Sequence, residues 1–319
     1  MRNAFVKTLT EQAEKDPRVT LIVGDLGFGV VADFAERFPN QFLNIGVAEQ
    51  NMTGVAAGMA MAGRIVFTYS IANFPTIRCL EQIRNDVCYH KLNVVVVSVG
   101  GGFTYGALGM THHATEDLAI MRALPDMTVF APGDPLEADA ATRSAASGMG
   151  PVYLRLGRAG EPVVHEQAPI PWEVGRAILT REGTDGTLIS TGGMLATAVE
   201  VANRLSESGQ QVRVLSMPTL KPFDSEAVIQ AAQETEFVVT LEEHTVLGGL
   251  GSAVAEVLAE NRSGVLFRRI GVPSTFTREV GSQDYLRQLN KLDPSSIVET
   301  VRALLLGSFG SESAQCRLL

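Results

Sequence analysis

The chain has 319 residues, of which 45% are hydrophobic and 19% charged, as is typical of a globular protein with a large core and about two domains. Its net charge of −9, with no basic stripe, argues against nucleic acid and anionic membranes as partners. The three cysteines have the spacing of neither a metal site nor a disulfide framework, so we expect a cytoplasmic protein. The apolar runs are too short to span a bilayer.

Short apolar strands alternate with helical patterns in the first half of the chain. The predicted strands cover Val19–Val23, Gln41–Ile45, Arg64–Tyr69, Asn93–Val99, Thr128–Ala131 and Val152–Leu156. The predicted helices cover Ala48–Met61, Thr76–Tyr89, Glu116–Ala123 and a segment from Leu136. This alternation predicts an α/β domain over residues 1–160, in which a parallel sheet carries helices on both faces.

A second, smaller α/β domain is predicted over residues 187–306. It follows residues 161–186, which are rich in Gly, Pro and charge and which we interpret as a linker. Its predicted strands and helices are Thr187–Thr191, Leu195–Ser206, Gln211–Ser216, Ser225–Gln233, Glu236–Leu241 and Leu250–Glu260. Residues 307–319 are polar, and we expect them to form a flexible tail.

Glu49 follows a predicted strand and lies in the first turn of a long helix rich in small residues. A strand–turn–helix connection presents a side chain at the edge of a parallel sheet, where ligands bind. A carboxylate in the first turn also suits the helix dipole, so Glu49 alone does not indicate a function.

Other candidate site residues stand near strand ends or in glycine-rich loops. Tyr69 and Phe74 form an aromatic pair that could stack on a planar heterocycle, although either is also a plausible core residue. His112 is a candidate acid–base group. It does not form a metal site with His113, because two adjacent side chains of a regular helix or strand do not point to the same place. The four glycine-rich stretches match neither a dinucleotide fingerprint nor a P-loop.

Several motifs occur together in an order that resembles the C-terminal half of transketolase-like enzymes, which depend on thiamine diphosphate. The most similar pattern is the separate second subunit of a split bacterial transketolase. The motifs are Arg2-Asn3-Ala4, Gly46-Val47-Ala48-Glu49-Gln50, Thr111-His112, Leu156-Gly157-Arg158, Leu220-Lys221-Pro222-Phe223-Asp224, Glu242-Glu243-His244 and Gly248-Gly249-Leu250-Gly251. The resemblance implies a pyrimidine-binding domain followed by a transketolase C-terminal domain.

The same resemblance implies roles for the candidate residues. Glu49 would hydrogen-bond the pyrimidine N1′ of thiamine diphosphate and so activate the cofactor, which serves as the electron sink. Phe74, with Tyr69 as a second candidate, would stack on the pyrimidine. His112 would contact the donor sugar near its carbonyl.

The anionic end of the sugar would be held by arginines, for which the candidates are Arg158, Arg2 and Arg78. Arginine suits this task because its planar fork matches anionic oxygens. Together these roles imply transfer of a two-carbon ketol unit from a phosphorylated or otherwise anionic ketose to an aldose.

Three positions depart from the family pattern. Leu108 replaces the aspartate of the family's Asp-Gly-x-Thr-His motif, which helps to read a donor hydroxyl. A phosphate-contacting histidine would fall near Gly100 and a serine near Gly29. We therefore expect an altered sugar and a reshaped anion site.

The diphosphate half of the cofactor site is not encoded in this sequence. The Gly-Asp-Gly motif that holds Mg²⁺ in thiamine enzymes is absent, since Gly24-Asp25 is followed by Leu26. The resemblance therefore implies a separately encoded N-terminal subunit that binds the diphosphate and most of the Mg²⁺ coordination sphere. It also implies a two-plus-two heterotetramer that is active only when assembled.

Three alternatives remain open at this point. The beta subunit of a 2-oxo acid dehydrogenase shares Ala48-Glu49-Gln50, although the Thr111-His112 loop and Arg158 fit transketolase better. Deoxyxylulose-phosphate synthase has similar segments, but that family normally carries the diphosphate domain in the same chain. A transketolase-like binding module without catalysis is the third alternative, against which Glu49, His112 and Arg158 argue.

Overall fold

The β-branched runs of the chain form two separate sheets in the computed structural model, which describes residues 1–27, 29–148 and 150–307. The strands are β1 (Val19–Val23), β2 (Phe42–Asn44), β3 (Ile65–Ile71), β4 (Val94–Val99), β5 (Thr128–Phe130), β6 (Val152–Leu156), β7 (Ile178–Arg181), β8 (Gly186–Ser190), β9 (Val212–Ser216), β10 (Thr219–Lys221), β11 (Phe237–Thr245) and β12 (Leu266–Val272). The predicted tail lies outside the described residues except for Gly307.

The first sheet has the order β10-β5-β6-β4-β3-β1-β2, and the second has the order β12-β11-β8-β9-β7. All neighbouring strands are parallel except β10, which is antiparallel to β5, and β7, which is antiparallel to β9. The strands β1, β4 and β6 are buried along their whole length, as expected for parallel strands covered on both faces. The predicted fold class is confirmed.

Eleven α-helices in the described residues connect and cover these strands. They are α1 (Arg2–Lys15), α2 (Ala32–Arg37), α3 (Glu49–Met61), α4 (Leu80–Gln82), α5 (Asp117–Ala123), α6 (Pro135–Ala146), α7 (Leu195–Ser206), α8 (Ser225–Glu234), α9 (Leu250–Glu260), α10 (Gln283–Leu289) and α11 (Pro294–Leu305). A 3₁₀ turn at Ile77–Cys79 precedes α4, and a π-helical segment at Ile83–Cys88 continues it.

Several helices begin at an acidic residue whose side chain accepts from a free backbone N–H. Asp134 accepts from Glu137 N at the start of α6, and Asp224 accepts from Ala227 N at the start of α8. Such caps satisfy donors that have no partner within the helix and are worth about 1 kcal/mol each.

The core on one face of the first sheet contains large buried side chains such as Phe5 of α1, Phe67 of β3 and Phe130 of β5, and α1 packs against α6 on this face. The core on the other face packs α3 and α5 and continues into the second unit through Leu220 and Val254. Burying a side chain of this size contributes about 1.5–3 kcal/mol. The shared apolar cluster therefore joins the two units.

The structure contains elements that the sequence-based interpretation did not include, among them α1, α2, β12, α10 and α11. Residues 161–186 contain β7, so they are not a structureless linker, and β7 extends the second sheet. The Leu220-Lys221 motif lies in β10, which crosses back to the edge of the first sheet. The predicted domain boundaries themselves stay a prediction.

Within the described residues, no helix combines the length and apolar character that a membrane span requires.

Candidate active site

The candidate site lies where the carboxyl ends of β1 and β3 meet the start of α3. Glu49 is the first residue of α3, and its carboxylate lies beside Gly24, which follows β1, and Ser70, near the end of β3. The carboxyl edge of a parallel sheet is the usual location of a ligand site in this type of fold. Glu49 is 1% exposed, so its carboxylate is held inside this edge.

Two side chains hydrogen-bond the Glu49 carboxylate. Ser70 Oγ donates to Oε1 at 3.4 Å, and Arg78 donates through its terminal guanidinium nitrogen to Oε2 at 2.6 Å. Because a buried carboxylate is costly without a partner, Arg78 stabilises Glu49 in this state. The guanidinium itself is about half-exposed, so it connects the buried carboxylate to the surface.

Phe74 lies between Arg78 and His112. The Arg78 guanidinium stands 4.7 Å from the centroid of the Phe74 ring, and the His112 ring meets it edge-on with centroids 5.1 Å apart. The side chains of Glu49, Arg78, Phe74 and His112 therefore form a continuous row. The structure brings together four of the predicted site residues.

The two adjacent histidines have different surroundings. His113 is buried, with its ring edge-on to Phe103 and its Nε2 3.4 Å from Gly106 O. His112 is half-buried and has Thr111 Oγ1 3.0 Å from its Nδ1. Burial, followed by the charge of His113, lowers the pKa of His112, so the neutral imidazole predominates at neutral pH.

Asn73, which the sequence-based reasoning did not single out, fixes the histidine loop. Its side-chain amide donates to His113 O at 2.6 Å and to Thr111 O at 3.3 Å. These bonds tie the loop after β3 to the loop after β4, and so set the position of His112 relative to Phe74. The position of Asn73 between Tyr69 and Phe74 in the sequence is only a weak signal for such a contact.

Tyr69 is placed in the core and not beside Glu49. Its ring stacks on Phe5 with centroids 6.1 Å apart, and the side chain is 3% exposed. Burial is the main reason that the pKa of Tyr69 rises to about 12. The alternation of β3 explains this placement, because Tyr69 and Ser70 point to opposite faces of the sheet and only Ser70 points toward Glu49.

A cavity of about 720 Å³ lies between the two domains, and Arg158 is on its wall. Residues on its wall from the first domain include Gly101, Tyr105 and Leu108, and those from the second include Gly193 and Arg287. This interdomain cavity is the place where an anionic ligand would meet Arg158.

Arg2 is not part of the interdomain cavity. Its backbone N–H donates to Arg158 O at 2.9 Å, but its side chain lines a separate groove that also includes Lys7 and Arg37. Arg78, in turn, is engaged with Glu49. The structure therefore does not bring the three predicted anion-binding arginines into one cavity, and Arg158 alone faces it.

The glycine run Gly100–Gly102 serves close packing. A Cβ at Gly100 would lie 2.2 Å from the Tyr105 ring, one at Gly101 would lie 2.6 Å from Arg155 Nε, and one at Gly102 would lie 2.6 Å from the Glu243 carboxyl carbon. Side chains at these positions would displace their neighbours. The space beside Gly100, near which the family histidine would fall, is thus filled by the ring of Tyr105.

Buried charges join the two domains behind this run. Arg155 donates to Asp117 at 2.8 Å and to the backbone oxygen of Glu243 at 3.0 Å. The Glu243 carboxylate in turn accepts from Phe103 N at 2.6 Å and from the guanidinium of Arg287. These hydrogen bonds link Arg155 and Asp117 of the first domain to Glu243 and Arg287 of the second, and so connect the two sides of the interdomain cavity.

The family motifs of the second domain have structural roles. Glu242 accepts from the backbone N–H groups of Leu250 and Gly251, both at 2.8 Å, at the start of α9. Lys221 donates to Leu124 O at the end of α5. These contacts give Glu242 and Lys221 of the two motifs a structural role that does not involve a chemical reaction.

The side chains of Glu49 and Phe74 suit an aminopyrimidine ring that has a nitrogen atom. The buried Glu49 carboxylate offers an acceptor or a shared proton, and the half-buried Phe74 ring offers a stacking surface. A cavity of about 560 Å³ adjoins Phe74, Arg78 and His113. In the described part of the chain, no group of three or more His, Cys, Asp and Glu side chains could hold a metal ion.

The fold is that of a two-domain α/β chain, and its two domains match those of a thiamine diphosphate-dependent enzyme family. Residues 1–161 match the transketolase pyrimidine-binding domain, and residues 175–297 match the transketolase C-terminal domain. The chain belongs to the transketolase family.

Similar proteins include separate subunits of split enzymes. The chain is 42% identical to the 6-deoxy-6-sulfo-D-fructose transketolase subunit SqwH of Clostridium sp., over 93% of this chain and 92% of that protein. It is 40% identical to one subunit of the apulose-4-phosphate transketolase of Phocaeicola vulgatus, over 85% and 87% respectively. A solved split-gene transketolase, described as an inactive beta4 tetramer, superposes with a TM-score of 0.86 at 40% identity, covering 96% of this chain and 97% of that one.

These similarities confirm the predicted resemblance to the second subunit of a split transketolase. They give no support to the 2-oxo acid dehydrogenase alternative. The individual roles of the site residues stay predictions.

Proposed function

We propose that this chain is the pyrimidine-binding subunit of a thiamine diphosphate-dependent transketolase. It would transfer a two-carbon ketol unit from an anionic ketose to an aldose acceptor. The observation that carries the proposal is the buried Glu49 carboxylate at the carboxyl edge of the sheet, in one row with Phe74 and His112.

In this proposal Glu49 has the central chemical role. When bound, thiamine diphosphate supplies an electron sink for cleavage of the ketose carbon–carbon bond. Glu49 would hold a proton or hydrogen bond at pyrimidine N1′, and Arg78 would have to release part of its contact to allow this. Phe74 would pack against the pyrimidine and orient it toward Glu49.

His112 is proposed to act on the sugar. Its lowered pKa keeps the imidazole neutral near pH 7, so that one nitrogen can donate and the other can accept a proton. That state suits hydrogen bonds to the carbonyl and hydroxyl oxygens of a ketose. His113 is engaged with Phe103 and Gly106 and is not available for this role.

The proposed enzyme needs a second kind of subunit. The chain lacks the Gly-Asp-Gly motif for Mg²⁺ and the diphosphate, and two similar proteins are named as subunits of transketolases. We therefore propose a separately encoded partner that holds the diphosphate and Mg²⁺, in a two-plus-two heterotetramer. The substrates named for those relatives are anionic sugars, which supports an anionic ketose for this chain.

Reconstitution tests the function. The chain is combined with its candidate partner, thiamine diphosphate and Mg²⁺, and ketol transfer from a panel of phosphorylated and sulfonated ketoses is followed by product analysis. Transfer that requires both chains is expected. Release of carbon dioxide from pyruvate or branched 2-oxo acids, without ketol transfer, would overturn the proposal in favour of a 2-oxo acid dehydrogenase.

Titration calorimetry separates a catalytic subunit from a binding module. Thiamine diphosphate is titrated into the two-chain complex with and without Mg²⁺. Binding that depends on Mg²⁺ supports the proposal, whereas the absence of Mg²⁺-dependent binding favours a module without catalysis.

A further inference from the structure

Tyr105 occupies the space beside Gly100 that a side chain at position 100 would otherwise fill. A Cβ at Gly100 would lie 2.2 Å and 2.3 Å from two carbons of the Tyr105 ring, and Gly100 has a φ of +98°. Only a glycine tolerates both this backbone conformation and this contact without strain. The ring therefore packs directly against Gly100 and forms part of the cavity wall.

Arg158 lies over the same ring. Its guanidinium carbon is 5.9 Å from the Tyr105 centroid, within the range of a cation–π interaction. Arg158 is an exposed side chain, and across residues 1–27, 29–148 and 150–307 no carboxylate is found paired with it. The guanidinium of Arg158 and the ring of Tyr105 therefore lie together on the wall of the cavity.

The other charged groups of the interdomain cavity are already paired. Arg155 is bound to Asp117, and Arg287 is bound to Glu243. The carboxylate of Glu161 is bound to the amino group of Met1 at 2.7 Å. A ligand anion that enters the cavity would therefore meet an unpaired cation at Arg158 and no unpaired carboxylate among these groups.

We infer that Tyr105 is a positioning residue that sets Arg158 to bind the terminal anionic group of the ketose. The inference rests on the proposed function and adds the residue that positions the anion-binding arginine. The ligand chemistry is a tetrahedral oxyanion, either phosphate or sulfonate, at the end of the sugar that is remote from the carbonyl.

The first experiment measures anion binding without catalysis. Inorganic sulfate is titrated into the assembled complex of wild type, Tyr105→Phe, Tyr105→Leu and Arg158→Ala, and the shift in Tm is recorded. Wild type and Tyr105→Phe keep the ring, so we expect them to share the larger shift. Tyr105→Leu and Arg158→Ala should both lose most of it. An equal shift in all four proteins would overturn the inference, whatever the activity.

The second experiment uses ketol transfer by the same proteins. Fructose 6-phosphate and 6-deoxy-6-sulfofructose are compared with erythrulose, which carries no charge. Tyr105→Leu is expected to raise KM for the two anionic ketoses about two- to fivefold, as for loss of one exposed cation–π contact, with kcat and the erythrulose parameters unchanged. The two anionic donors distinguish phosphate from sulfonate.

Two outcomes separate the inference from the proposed function. An equal loss on erythrulose and on the anionic ketoses, or failure of Tyr105→Phe to retain wild-type KM, would mean that Tyr105 has a general structural role. Failure of the wild-type complex to transfer ketol units from any donor would reject the proposed function, and the sulfate titration would still decide whether Tyr105 positions Arg158.

Discussion

Arg78 donates a hydrogen bond of 2.6 Å to the carboxylate of Glu49, the residue proposed to activate the cofactor. The pair joins a carboxylate that is 1% exposed to a guanidinium that is 46% exposed. In the chain alone, Glu49 is thus held by a partner whose guanidinium reaches the protein surface. The contact spans 29 residues of sequence and links α3 to the turn that precedes α4.

The first prediction concerns turnover. Glu49→Gln should lower kcat of the assembled complex by about 100-fold or more, because an amide cannot share a proton with pyrimidine N1′. Glu→Gln keeps the size of the side chain, so a fall in Tm is not expected to explain the loss. Steady-state kinetics at saturating thiamine diphosphate measure the effect. Near wild-type kcat would reject the proposed role of Glu49.

The second prediction concerns stability of the isolated chain. Arg78→Gln should lower the free energy of unfolding by about 1 kcal/mol, because it leaves the Glu49 carboxylate buried with only Ser70 as a partner. In the double variant Glu49→Gln/Arg78→Gln the loss should be smaller than the sum of the single losses. Urea unfolding of the four proteins measures the coupling. Additive losses would show that the ion pair contributes nothing.

The strands β1 to β6 and the helices that follow β2 to β5 were predictable because apolar runs alternate with helical patterns in this half of the chain. The strands β7 and β10 were not, because each has only three or four residues and is fixed by pairing with a distant strand. Glu49 could be singled out because it follows a strand and lies within the motif Gly46-Val47-Ala48-Glu49-Gln50, which resembles the transketolase family. Its contact with Arg78 could not, because no local periodicity relates the two positions.

The choice between Tyr69 and Phe74 shows the same limit. Both are aromatic residues near the end of β3, and both were stacking candidates on the basis of the sequence. The alternation of the strand directs Tyr69 toward Phe5 and the core, whereas Phe74 lies past the strand's end in a loop. Which face is the core depends on α1, whose packing the sequence pattern did not reveal.

The third prediction separates the two histidines. His112→Ala should lower kcat by about 10- to 100-fold with little change in Tm, since His112 is half-buried beside Phe74. His113→Ala should lower Tm instead, because it leaves a gap beside the buried ring of Phe103. Kinetics and thermal unfolding of both variants test this. The reverse pattern would assign the sugar contact to His113.

The fourth prediction concerns the anionic end of the substrate. Arg158→Ala should raise KM for an anionic ketose about 10-fold or more, with a smaller effect on kcat, since the contact is made equally in the ground state and transition state. Arg2→Ala is the matched control, because Arg2 lines a different groove. An unchanged KM with every anionic ketose would remove Arg158 from the site.

The fifth prediction concerns the pH dependence of stability at the segment after β6. His165 Nε2 is 2.8 Å from the buried Glu137 carboxylate, and Val164 N and His165 N donate to Asp134. Burial opposes the charged imidazole, but the hydrogen bond and charge of Glu137, with the charge of Asp134, outweigh it and raise the pKa of His165 above its usual value.

The sign of this effect follows from the raised pKa. The charged His165 stabilises the folded state fully below the unfolded-state pKa of about 6.5, and this contribution is lost as the pH rises through the folded-state pKa. His165→Gln should therefore lower the free energy of unfolding more at pH 6 than at pH 9, where the difference from wild type shrinks. Urea unfolding at a series of pH values measures it. A difference that is constant from pH 6 to pH 9 would mean that His165 does not carry a proton in its pair with Glu137.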